Sequence, residues 1–207
     1  MITSKELIWI IVSIIIFEFI VFFPGNNTLN LKLLLVPIII VLASISAKKY
    51  FSRHFNIRIE HKIWEIQQYG WQRQAHFKKP FPIGLIFPLI ISILSYGLLK
   101  PLTLLQFDAE NILEKRLLRK QGHYRKTEIN ESDLAHTSMA GFYCLFLLSI
   151  FAALLNYSDL SKYAIIYGFW NLIPYGNLDG AKVFFGSFFN WIMLAIIFII
   201  SLIIVLV

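Results

Sequence analysis

Residues Asn171–Gly180 read NLIPYGNLDG and set a carboxylate, Asp179, in one of the most apolar regions of the chain. Residues 163–174 are mostly apolar and aromatic, and residues 183–207 carry no formal charge. A carboxylate at membrane depth costs a few kcal/mol or more without a partner, so such residues usually face a bundle interior and pair there. Pro174 breaks a helix and Gly180 permits a tight turn. Together they can aim Asp179 inward from irregular backbone. The plainer alternative is an Asp-Gly turn in which Asp179 caps the final helix.

Outward from this stretch the chain reads as a membrane protein. Of its 207 residues, 57% are hydrophobic and only 15% charged. Globular domains are closer to half apolar and a quarter charged. Residues 188–207, FFNWIMLAIIFIISLIIVLV, hold no charge and are long enough for a hydrocarbon core roughly 30 Å thick. Residues 7–23 form a second candidate span, broken only by Glu18, with residues 31–47 a third and 134–155 a fourth. Residues 159–175 then lead into the opening stretch. Lys5 ahead of an apolar run resembles a signal peptide, but PGNNTLN follows without a small-x-small cleavage site. An uncleaved first span is expected. The expected fold is therefore an all-α polytopic bundle of five or six spans with a basic amphipathic cytoplasmic segment.

The net charge of +7 is concentrated. Between residues 48 and 80, eight Lys and Arg stand against Glu60 and Glu65, which accounts for nearly the whole excess. A basic block suits nucleic acid or an anionic membrane surface. Flanking spans and interleaved Phe51, Phe55, Trp64, Tyr69, Trp71 and Phe77 favour anionic lipid, with no nucleic acid partner. The positive-inside rule then puts the N-terminus and residues 48–80 in the cytoplasm and residues 24–31 outside. The chain divides into an N-terminal helical hairpin (1–47), a basic juxtamembrane segment (48–82) and a core (83–207), all within one integral membrane domain.

Within the basic segment, Ile59, Ile63 and Ile66 suit an amphipathic helix over residues 56–69. Gly70, Pro80 and Pro82 argue for an extended or hairpin stretch over 70–82. Residues 83–107 are apolar but interrupted by Pro88, Gly97, Lys100 and Pro101, and either cross the membrane or re-enter and return. Residues 108–121 suggest a charged helix ending at Gly122, and Asn130 or Ser132 an N-cap for the next span. The single cysteine, Cys144, excludes an internal disulfide and a thiolate metal cluster.

NLIPYGNLDG resembles the N-x-x-P-x-x-x-L-D-G signature of the site-2 protease family of intramembrane zinc metalloproteases. Asn171, Pro174, Leu178, Asp179 and Gly180 match, and AKVFFGS with a final apolar span is similar to prokaryotic members. The resemblance implies that Asp179 stands at the third zinc-ligand position. It further implies two histidines and a glutamate base from an H-E-x-x-H motif on an earlier span. No such motif occurs. The nearest equivalent is Ile57-Arg58-Ile59-Glu60-His61, which keeps only the last histidine and puts a cation in place of the base. The family's G-P-x-x-N element is reduced to Gly141, with Phe142 and Leu145 at the other positions.

The resemblance thus implies a site-2 protease-like protein of the plasma membrane that has lost catalysis and binds transmembrane segments or partner proteins. No catalytic residue and no zinc or other cofactor is expected, Asp179 and His61 being vestigial metal positions and His136 a weaker one. Asn171, Asn177 or a backbone N–H is the expected partner of Asp179. One alternative is an active zinc metalloprotease with an unusual ligand set such as His61, His136 and Asp179. Another is a channel or transporter built on residues 83–107 and Glu18.

Overall fold

The computed structural model describes residues 3–25, 31–68, 76–111, 120–121, 124–125 and 129–206. Helix α1 (Ser4–Phe22) starts where the Thr3 hydroxyl accepts the Glu6 N–H, which covers one of the donors left over at a helix start. It ends at Phe23, ahead of Pro24. Helix α2 (Leu31–His54) continues through Pro37 and is followed by a turn at Asn56, whose φ of 55° lies in the left-handed region. Helices α4 (Glu131–Leu154), α5 (Ser158–Asn171), α6 (Asp179–Gly186) and α7 (Phe188–Leu206) form the C-terminal half. Asn130 is the N-cap residue of α4, with extended backbone and no side-chain capping bond.

The chain is mostly helical. Among the described residues, three helices, over Lys32–His54, Glu131–Leu154 and Phe188–Val205, are long and apolar enough to cross a membrane. Helices α2 and α4 lie against each other, α5 packs on both, α6 packs on α4, and α7 packs on α5 and α6. The main core runs through Phe17, Val36, Ile40, Leu102, Phe142, Ala164 and Phe198. At Gly168, an added Cβ would lie 2.1 Å from the Phe198 ring, so the absent side chain lets α7 close on α5.

Two expectations about the connecting segments are corrected. Residues 57–63 form strand β1 (Ile57–Ile63), and β2 (Ile66–Gln68) follows, where an amphipathic helix was expected. The reason is a two-residue period: Ile57, Ile59, His61 and Ile63 are buried while Arg58, Glu60 and Lys62 face outward. The reading of residues 108–121 as a helix fails at its start. Strand β4 (Leu105–Asn111) pairs antiparallel with β1, Ile63 opposite Leu105 and Ile57 opposite Asn111. Residues 112–119 and Gly122 lie outside the described residues. Strand β3 (His76–Phe81) pairs antiparallel with β2 and so bears out an extended stretch there, while residues 70–75 also lie outside. A short pair, β5 (Lys120–Gln121) and β6 (Tyr124–Arg125), completes the strands described.

Residues 83–107 run out and come back, so that the two ends of the segment meet. Helix α3 (Ile83–Leu94) is about 18 Å long at helical rise, well short of a crossing. Tyr96 and Gly97 then turn the chain with φ of 52° and 77°. Both ends of the excursion bond to one residue: Gly84 N–H donates to Trp64 O (2.8 Å), and Trp64 N–H donates to Leu104 O (3.0 Å). The returning stretch, Pro101–Leu104, is buried in protein. Its tip packs on the end of α1, with the Tyr96 ring edge-on to Phe23.

Candidate functional site

Asp179 is the first residue of α6 and has an ionic partner. Lys48, on α2, places Nζ 2.6 Å from Asp179 Oδ2, with side-chain exposures of 3% and 6%. The expected partners are therefore replaced. Asn171 Nδ2 donates instead to Leu102 O (3.0 Å) and Tyr167 O (2.8 Å), clamping the returning stretch to α5. The Asp179 side chain does not cap α6, whose N-cap residue is Leu178. The boundary drawn at residue 48 also falls inside a helix: Lys48 is a buried core residue of α2 rather than part of a juxtamembrane surface.

The geometry of residues 171–180 explains how Asp179 is aimed. Helix α5 ends at Asn171, Gly176 turns with φ of 58°, and α6 starts directly on the preceding helix end. An added Cβ on Gly180 would lie 2.1 Å from Leu172 O, backbone that cannot move aside cheaply. Leu178 is buried with Trp64 and Ile66, and the Tyr175 ring stands edge-on to Trp64. Trp64 thus joins the motif turn to the ends of the re-entrant segment. Across from it, Gly141 on α4 leaves room for the lysine stem, since a Cβ there would meet Lys48 Cγ and Cε at 3.0 Å. Phe142 and Leu145, at the positions of the family's proline and asparagine, are buried apolar residues.

A second buried group adjoins the pair. His61 on β1 receives Glu6 of α1, with its ring Nδ1 3.0 Å from Glu6 Oε1 and its backbone N–H donating to the same oxygen at 3.1 Å. Lys49 donates to Glu6 Oε2 at 2.5 Å. Burial pushes the His61 imidazole down to about 4, outweighing the Glu6 hydrogen bond. The neutral ring therefore donates its Nδ1 proton in a hydrogen bond to Glu6, and Nε2 is a buried acceptor with no partner among the described residues. Asp179 Oδ1 is a second such atom. Phe107 of β4 separates the two groups: its ring is 6.0 Å from His61, 5.8 Å from Lys48 Nζ and 3.3 Å from Lys182 Nζ. Lys182 also donates to Phe107 O.

The structure does not unite the vestigial metal positions. Among the described residues no three His, Cys, Asp or Glu side chains converge as a metal site. His61 is held by Glu6. His136 is exposed near the start of α4, its Nδ1 2.5 Å from Ser132 O and its ring against Phe55. Arg58, at the supposed base position, points away from the core and pairs with Glu60 at 3.4 Å. The Ile57–His61 stretch is a strand, so it does not offer two ligands one helical turn apart. Lys48 is the residue the sequence reasoning missed: it stands beside Lys49 at the end of an apolar run, where nothing local marks it as buried. Comparison of the chain with protein families, with curated proteins and with solved structures finds no match.

Proposed function

We propose that this is a site-2 protease-like integral membrane protein without a catalytic zinc centre, which binds transmembrane segments or partner proteins. The observation that carries the reading is the Lys48–Asp179 ion pair. Asp179 stands at the third ligand position of the motif, and an ammonium 2.6 Å away holds one of its two carboxylate oxygens, Oδ2. A second cation at the same carboxylate would meet repulsion from that ammonium in a buried, low-dielectric site. The span that reaches Asp179 is α2. On it Lys48, Lys49 and Ser52 stand at the first, second and fifth positions of an H-E-x-x-H spacing. This register supersedes Ile57–His61 as the counterpart of the lost motif, and it supplies two cations and a hydroxyl.

In this reading α1, a 19-residue apolar helix, crosses the membrane beside α2, α4 and α7. The N-terminus and the β1–β4 sheet lie on the cytoplasmic side of the plasma membrane. Exposed Arg53, Arg58, Lys78 and Lys79 at that end support contact with anionic lipid headgroups. Co-purification from cells expressing the wild type and Asp179→Asn tests the reading. Membrane-protein partners should be recovered at full length and in similar amounts from both. Partners recovered intact only with the variant would mark cleaved substrates and overturn it.

A further inference from the structure

Helices α2 and α4 do not close completely on each other. Cys144 Sγ meets Ala43 O at 3.6 Å, and Phe55 meets the His136 ring at the other end of the pair. Beside these contacts, and running past Cys144 to Phe151, an apolar groove of about 650 Å³ opens to the side of the bundle. Met139 and Ala140 form its buried floor, and exposed Tyr143, Leu147 and Phe151 form its rim. From His136 to Phe151 it follows α4 for about 22 Å at helical rise. One leaflet is about 15 Å deep, half the hydrocarbon core. At the α2 end the groove shares the wall of Tyr50 and Phe51 with a second recess, which carries Arg53 and His54. Arg53 is exposed and enters none of the ion pairs among the described residues.

We propose that this groove holds an acyl chain of one anionic phospholipid, with the lipid phosphate at Arg53. The walls supply an apolar slot long enough to take a chain through one leaflet, and the adjoining recess supplies a guanidinium whose planar donors match phosphate oxygens. A transmembrane peptide would fill the slot but leave that cation without a counter-charge. A zwitterionic lipid would bring its own ammonium to the same place. The inference is independent of whether the Asp179 site ever binds metal.

The test is native mass spectrometry of the full chain in detergent with equimolar phosphatidylglycerol and phosphatidylcholine. One phosphatidylglycerol should be retained in preference to phosphatidylcholine. Arg53→Gln, at an exposed position, should reduce that preference about fivefold, the effect of one basic group near an anionic surface. Ala140→Trp should displace both lipids. Maleimide reaction at Cys144, the single cysteine, gives a second reading: phosphatidylglycerol should slow it in the wild type, and the two lipids should protect equally in Arg53→Gln. Equal retention of both lipids by the wild type overturns the proposal. So does unchanged retention in a folded Ala140→Trp variant, or cross-linking of Cys144 to a co-purified polypeptide in place of lipid.

Discussion

Glu6 and His61, on the first helix and the first strand, share one oxygen: Glu6 Oε1 faces both the backbone N–H and the ring Nδ1 of His61. This contact makes stability depend on pH with a definite sign. His61 is lowered from 6.5 to about 4 by burial. The unfolded chain therefore binds more protons than the folded one as pH falls. The His61 contribution is whole above 6.5 and is lost toward 4. The melting temperature in detergent should therefore fall as pH is lowered below about 6.5, and His61→Gln should flatten the upper part of that fall.

The buried ion pair predicts a strongly non-additive double-mutant cycle. Lys48→Met leaves Asp179 charged and buried, which should cost about 3–5 kcal/mol. Lys48→Met with Asp179→Leu removes both desolvation penalties and should recover most of that loss. Denaturant titration in detergent measures the four species. Equal destabilisation by the single and double variants would mean that the pair does not act as a unit.

Gly180 and Gly141 both face close neighbours but should respond differently to alanine. At Gly180 the new Cβ meets Leu172 backbone at 2.1 Å, and α6 would have to move. At Gly141 it meets the flexible stem of Lys48 at 3.0 Å. Gly180→Ala should therefore sharply reduce folded yield, while Gly141→Ala should cost less than about 2 kcal/mol, within the common range for point substitutions. Size-exclusion profiles and melting curves distinguish the two.

The junction at Trp64 predicts topology. Because residues 84 and 104 both bond to Trp64, single cysteines at Lys78 and Asp108 should be labelled by an impermeant reagent from the same side of the membrane. These variants are made in a Cys144→Ser background. Labelling from opposite sides would contradict the re-entrant path.

These contacts also show what the sequence could convey. The apolar runs marked α2, α4 and α7 correctly because length and lack of charge are local properties. The extended stretch before α3 followed from Pro80 and Pro82. The strand over 57–63 was present as an alternation beginning at Ile57, but Ile59, Ile63 and Ile66 also fit a helical spacing, and that choice concealed the pairing with residues 105–111. Asp179 was rightly marked as needing a partner. Lys48 was read with its basic neighbours as surface charge, because no local pattern separates a lysine on an inward helix face from one in solvent. Its partner lies 131 positions away, and only the packing of α2 against α6 and Gly141 identifies it.

The most direct measurement is the zinc content of the purified chain after exposure to excess Zn²⁺ and removal of unbound metal. With Lys48 holding Asp179, the wild type should retain well below one equivalent, and Asp179→Ala should not change the value. One equivalent of zinc in the wild type, lost in Asp179→Ala, would contradict the account and restore Asp179 as a metal ligand.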